Sequence, residues 1–315
     1  MTKKVALVFP GQGSQSVGMG KDLYENFDSA KNVFDTADKV LEKSISTICF
    51  EGPEDDLKQT INTQPAIVTT SIAALEAFKS QLDVEIYATA GHSLGEYCAM
   101  YCSGVMDLET TLKAIQKRAD LMGATKGGAM AAILNAPEGS LEKAIEEASS
   151  VGYVDVANYN SPAQVVITGD EAAVAKAGEF LSAAGARRVV PLAVSGAFHS
   201  KFMESAGHEF ESFVSELDLN NASIPVFTNV DAQATVLAAE FKNKMPRQIY
   251  SSVHWTQTIQ NLVSEGVDTI IEIGPGKVLS GLVKKIDAGV KTYNIFDKDS
   301  LESTVEALKS ELCEV

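Results

Sequence analysis

Gly91-His92-Ser93-Leu94-Gly95 is a GxSxG pentapeptide set between a β-like run at 86–90 and a helix-like run that follows it. A serine on a sharp strand-to-helix turn has strained backbone angles and an exposed hydroxyl, and small neighbours such as Gly91 and Gly95 let the chain reverse there. The helix that begins just after it turns unsatisfied N–H groups, and the positive end of its dipole, toward any oxyanion formed at the site. The chemistry on offer is acyl transfer through a serine ester. The string alone arises by chance, and its strand and helix context is what makes Ser93 a candidate nucleophile.

A serine hydroxyl needs a base near neutrality, and the chain has four histidines. His92 sits inside the turn, where adjacent side chains diverge, so it suits a structural or pocket-lining place. His208 lies mid-helix among Glu204, Glu209 and Glu211 as a solvated surface residue. His254 precedes Trp255 in a loop, where packing is the default. His199 follows Ser195-Gly196-Ala197-Phe198, where the chain returns from a small insert beside the cleft, and that location favours it as the base. The loop Phe9-Pro10-Gly11-Gln12-Gly13-Ser14-Gln15 directly follows a strand. A dinucleotide fingerprint would need glycine in place of Ser16, and a phosphate P-loop lysine in place of Met19. What remains is an oxyanion loop, in which the Gln12 N–H joins the Leu94 N–H, or a tight turn without a catalytic part.

The elements that must position these groups alternate. Residues 5–9 are a continuous apolar run ended by Pro-Gly, as in a buried parallel strand. Helical patterns occupy 21–43, 65–80 and 108–122, the last with Leu108, Leu112, Ile115, Ala119 and Met122 on one face. From 129 the order is strand 129–134, helix 140–148, strands 154–158 and 164–168, helix 171–183 and strand 188–192. That is the β-α-β-β-α-β ferredoxin-like pattern. Gly123, Gly127 and Gly128 on one side and Ser195-Gly196-Ala197 on the other read as its hinges. Helix 201–217, strand 225–229, helix 255–265, strand 269–273, helix 277–286 and a surface-packed tail helix at 303–312 follow. The expectation is an α/β fold with two parts. A large α/β-hydrolase-like catalytic domain with a mainly parallel sheet takes 1–126 and 199–315, and a small ferredoxin-like subdomain is inserted at 127–198.

Composition narrows the function classes. With 315 residues, 45% of them hydrophobic, the chain can bury a substantial core. A formal charge of −16 argues against nonspecific binding to nucleic acid or to an anionic membrane. Four cysteines, at 49, 98, 102 and 313, are too irregular for a disulfide framework and point to a reducing compartment. Cys98 and Cys102 share a helix face and read as two buried thiols rather than a metal pair. Pro10 and Gly11 end the first apolar run before signal-peptide length, and no stretch is long enough to cross a bilayer. A cytoplasmic protein without nucleic-acid or membrane partners is expected.

In order along the chain stand VFPGQGSQ, GHSLGE, an arginine within QKRADLM, NYNSPAQVVITG, GAFHS, RQIYSSVHW and EIGPGKVLSGL. This combination resembles the malonyl-CoA:acyl carrier protein transacylase family of bacterial fatty acid synthesis over nearly the whole chain. The resemblance implies Ser93 as acyl-accepting nucleophile, His199 as general base and then acid, and Gln12 with Leu94 as the oxyanion hole. It places Arg118 in the substrate pocket and has the Gln248 carbonyl orient His199, where many serine hydrolases use a carboxylate. Phe198 becomes a specificity residue for malonyl groups, with Met122, His92 and Asn160 as further pocket residues. Malonyl-CoA and a transiently bound acyl carrier protein are the implied substrates, with no metal or resident cofactor, and a monomer is expected.

Each implied role has a physical rationale. Malonyl ends in a carboxylate, which the planar, two-pronged guanidinium of Arg118 matches. A glutamine in place of an aspartate avoids a buried anion that would repel that carboxylate. Arg187, Arg188, Lys284 and Lys285 could offer an acidic carrier protein a local positive surface. A hydrolase built on the same elbow, an inactive carrier-binding module and a polyketide acyltransferase stand as the rival readings.

Overall fold

The computed structural model describes residues 3–194 and 196–313, so the Ser195 part of the expected hinge lies outside the described residues. Among the described residues ten strands form two sheets: β1 (Val5–Phe9), β2 (Ile86–Gly91), β3 (Ala129–Leu134), β4 (Val154–Ser161), β5 (Gln164–Gly169), β6 (Arg188–Pro191), β7 (Val226–Phe227), β8 (Ala234–Thr235), β9 (Thr269–Ile273) and β10 (Lys291–Ile295). The larger sheet runs β10-β9-β1-β2-β7-β8 and is parallel except at the β7–β8 edge pair.

β1 lies near the middle and is buried along its whole length. Alternate residues serve opposite faces, as a two-residue repeat requires. Val5, Leu7 and Phe9 pack with the helix Thr60–Gln81 and its neighbours, whereas Ala6 and Val8 pack with Trp255, Ile259 and Leu279 from the helices on the other side. Phe9 pairs with Gly91 at the carboxyl ends of β1 and β2, so the Gln12 loop and the Ser93 turn leave the sheet side by side. Open parallel sheets bind ligands at this edge.

The smaller sheet is antiparallel, in the order β4-β5-β3-β6. The helices Ser140–Ala148 and Glu171–Ala184 cover one of its faces, packing on Ala131, Ile133 and Ile167. The intervening residues Met130, Ala132 and Val166 join the core of the larger unit. This is the expected ferredoxin-like connectivity. Gly127 and Gly196 form a bridge where the chain enters and leaves this sheet, and β4 is tied across to Val253 through Tyr159 and Ala157.

Several elements differ from the sequence expectation. The pattern at 21–43 is two helices, Lys21–Asn26 and Asp28–Val40, separated by an extended Phe27. The short helices Ile45–Glu51 and Glu54–Lys58 carry too little periodicity to be read. Helix Ala238–Tyr250 was not expected because Pro246 interrupts its pattern, yet the helix runs through it. Strand 225–229 shrinks to β7, and the half-exposed β10 closes the sheet edge. Among the described residues no helix is long and apolar enough to cross a membrane.

Candidate active site

Ser93 has φ 52°, in the left-handed region that costs a non-glycine residue about 1–3 kcal/mol. Close packing holds it there. A Cβ on Gly91 would lie 2.0 Å from the Gly95 carbonyl carbon, and one on Gly95 would lie 2.3 Å from the Phe9 carbonyl oxygen. Both glycines of the pentapeptide are therefore fixed by backbone approach. Gly11 is fixed likewise, since a Cβ there would meet the His92 carbonyl oxygen at 2.7 Å. The helix Gly95–Cys102 starts immediately after the turn. Neither the Leu94 N–H nor the Gln12 N–H has an acceptor among the described residues, which leaves both available to an oxyanion.

Ser93 Oγ stands 2.8 Å from His199 Nε2. His199 Nδ1 donates to the main-chain carbonyls of Gln248 at 2.9 Å and Ser251 at 3.1 Å, at the C-terminal end of helix Ala238–Tyr250. With its proton on Nδ1, the ring presents Nε2 to the hydroxyl as an acceptor. The orienting atom is a backbone oxygen, which any residue would supply, so the glutamine side chain does not stand in for an aspartate as expected. The Gln248 side chain does something else. Its Oε1 accepts from Arg118 Nη2 at 2.9 Å, and its Nε2 donates to the Ser93 carbonyl at 2.8 Å.

Arg118 is buried, with 1% of its surface exposed. Nη1 donates to Gln64 Oε1 at 2.6 Å and Nη2 to Ser93 Oγ at 3.0 Å, while Nε has no partner among the described residues. These hydrogen-bond partners are all neutral, and the buried Glu96 carboxyl acts on the guanidinium only through space, so the positive charge reaches the nucleophile without a paired anion among the described residues. Burial first, and Arg118 second, push the His199 imidazole down to about 3. It is a neutral base at any pH near 7.

A cavity of about 110 Å³ opens above Ser93, and Arg118, Met122, Phe198 and His199 line it. A second, of about 230 Å³, shares Gln12, His92 and Asn158 with the first and reaches outward past Asn160 to Leu279 and Leu282. His92 is half-buried, meets Asn160 Oδ1 at 2.7 Å through Nε2, and packs edge-on against Trp255. Asn160 thus lines the outer cavity with its carbonyl oxygen engaged. Met122 accepts from Gln64 Nε2 at 3.6 Å. The fold brings every candidate site residue to these two connected cavities except Gln248, which lies behind Arg118 and His199.

Three residues at the site were not anticipated. Gln64 holds the guanidinium. Asn229 accepts from Ser93 N through Oδ1 at 2.7 Å and donates from Nδ2 to the Gly91 carbonyl at 2.7 Å. Glu96, buried in the first turn after the elbow, accepts from Asn229 N through Oε2 at 2.6 Å. For Glu96 a signal existed, as the last letter of GHSLGE. Neutral amides on distant elements leave none.

A strained serine, a neutral imidazole and two free N–H groups together make a site that can take up an acyl group. The chain belongs to the acyl transferase domain family, whose model matches residues 6–301. It is 43% identical over 312 residues to the malonyl CoA-acyl carrier protein transacylase of Bacillus subtilis, covering 98% of both chains. The solved acyl carrier protein S-malonyltransferase of Vibrio cholerae matches with TM-score 0.92 and 39% identity, over 96% of this chain and 100% of that one. A malonyl-transacylase solved in complex with its type II PKS acyl-carrier protein matches with TM-score 0.93 and 35% identity, over 97% and 100%.

Proposed function

We propose that this acyltransferase moves the malonyl group of malonyl-CoA to the phosphopantetheine thiol of an acyl carrier protein through a malonyl ester on Ser93, supplying fatty acid elongation. The observation that carries this reading is the buried Arg118, whose hydrogen-bond partners among the described residues are all neutral and whose charge lies one hydrogen bond from the nucleophile. A buried cation is costly when unpaired, and an acyl chain ending in a carboxylate offsets that cost.

In the first half-reaction His199 Nε2 takes the hydroxyl proton as Ser93 Oγ attacks the thioester carbonyl. The Gln12 and Leu94 N–H groups receive the oxyanion, and the CoA thiolate leaves with the proton from His199. In the second, the carrier thiol gives its proton to the same nitrogen and attacks the malonyl-serine ester. Ser93 recovers its proton as it departs. These steps use only groups of this chain, and we propose no metal or resident cofactor.

Phe198 and Met122 would bound the acyl end of the inner cavity, with His92 and Asn160 along the pantetheine path. The unit at 127–198 is read as an insert that walls the cleft, the protein as a cytoplasmic monomer without nucleic-acid or membrane partners, and the carrier as a transient partner. The test is to supply malonyl-CoA with and without holo carrier protein and measure malonyl-carrier against free malonate. Transfer much faster than hydrolysis is expected, and hydrolysis at equal rate would favour a thioesterase.

A further inference from the structure

Around the nucleophile a closed ring of contacts runs Ser93, Asn229, Glu96 and back to Ser93. Ser93 N donates to Asn229 Oδ1, Asn229 N donates to Glu96 Oε2, and Glu96 N donates to the Ser93 carbonyl at 3.1 Å. Asn229 Nδ2 adds a bond to the Gly91 carbonyl, so the amide can face only one way and both sides of the turn are held by one side chain. Asn229 itself leaves the short β7, a two-residue strand that fixes it weakly. Its main chain is held on both sides: the carbonyl accepts from His254 N at 3.1 Å, and the N–H donates to the Glu96 carboxyl, which is 1% exposed and has no salt-bridge partner among the described residues. The proposed acyl transfer uses neither residue, yet a carboxyl held in this environment is expensive unless its hydrogen bond serves something.

We propose that Glu96 is a positioning residue, whose carboxyl oxygen clamps Asn229 and through it holds Ser93 in the strained conformation that aims Oγ between His199 and the acyl carbonyl. This rests on the reading of Ser93 as the acylated nucleophile. The requirement is for reach and an acceptor oxygen, not for charge. Burial pushes the carboxyl up to about 7, with the Asn229 N–H, the Gln248 amide and the Arg118 and Lys244 cations pulling it the other way. Protonated or not, it retains an oxygen that can accept from Asn229.

The test measures single-turnover acylation of Ser93 by malonyl-CoA, read as adduct mass, with KM and melting temperature beside it. E96Q keeps the reach and an acceptor oxygen, whereas E96D keeps the charge and loses a methylene of reach. Expected are E96D and E96A slowed about 10²-fold at unchanged KM, as for a small misplacement of a reacting atom. E96Q should stay within about ten-fold of the unaltered protein, having exchanged a charged for a neutral acceptor. An E96A/N229A double variant should be no slower than N229A alone, because the two act in series. An undiminished rate in E96A, an E96D as fast as E96Q or faster, or additive losses in the double variant would overturn the proposal. Should E96A not fold, the E96D and E96Q pair decides alone. Absence of a Ser93 adduct in the unaltered protein would instead count against the proposed function.

Discussion

Arg118 Nη2 donates to Ser93 Oγ across 3.0 Å, so the nucleophile and the cation that would select the acyl chain share one hydrogen bond before substrate arrives. Acylation by malonyl must hand that donor from the hydroxyl to the incoming carboxylate. Leaving a buried charge without its partner costs about 2–5 kcal/mol. R118A is therefore expected to slow malonyl loading by about 10²–10³-fold, with acetyl loading affected far less. Parallel loading rates with the two CoA esters check this, and equal losses would contradict it.

Gln248 supports the same selection from behind. Its side-chain oxygen is a neutral partner of Arg118 at 2.9 Å, while its backbone oxygen orients His199. Q248E would put a carboxylate on the guanidinium and cancel the charge offered to malonyl. Malonyl loading should fall at least about ten-fold more than acetyl loading. Q248A keeps the main-chain carbonyl, so it should preserve the pH profile set by His199. A ratio of malonyl to acetyl loading unchanged in Q248E would remove the electrostatic argument.

The pH dependence follows from the same burial. His199 is pushed down to about 3, against 6.5 for an unperturbed imidazole. Between those values the unfolded chain binds a proton that the folded chain does not. The stability contributed by the neutral buried ring is thus complete above 6.5 and is lost as pH falls toward 3. For catalysis the base stays free, and kcat/KM for loading should hold level down to about pH 5. Glu96 adds no limb near neutrality, because either protonation state leaves it an acceptor oxygen. A half-loss of kcat/KM centred at 6.5 would contradict this account.

How much of this was readable in the sequence depends on how local each feature is. Ser93, Leu94 and Gln12 were readable because each sits on a loop whose glycines and flanking strand are contiguous, and the β-α-β-β-α-β order gave the smaller sheet. The Gln248 carbonyl that orients His199 came only with the family resemblance, because a main-chain carbonyl has no residue type. Helix Ala238–Tyr250, which carries that carbonyl, was hidden by Pro246. Gln64 and Asn229 reach the site from the helix Thr60–Gln81 and from the end of β7, and neither amide differs in pattern from a surface residue until tertiary packing buries it.

The exposed Arg187, Arg188, Lys284 and Lys285 test the carrier interface. Lys284 and Lys285 end the helix Val278–Ile286, whose first turns line the outer cavity through Leu279 and Leu282. Reversing all four charges should raise KM for the acidic carrier about ten-fold or more and leave malonyl-CoA loading unchanged. Steady-state kinetics with each substrate varied separately would show it, and unaltered carrier KM would remove these residues from the interface.

The elbow itself makes a stability prediction. A methyl on Gly91 would sit 2.0 Å from the Gly95 carbonyl carbon, backbone that cannot yield without moving Ser93. G91A should cost at least about 3 kcal/mol, at the upper end for overpacking. Denaturant unfolding measures this, and a loss under about 0.5 kcal/mol, the size of a surface substitution, would show that the turn relaxes.

The central claim is that Ser93 carries the acyl group and Arg118 chooses it. Its most direct test incubates the protein in parallel with malonyl-CoA, acetyl-CoA and methylmalonyl-CoA and locates the adducts by peptide mass spectrometry. The account predicts a malonyl adduct on the peptide containing Ser93, in excess over the other two and lost in R118A. An adduct on another residue, or equal loading of malonyl and acetyl groups, would contradict it.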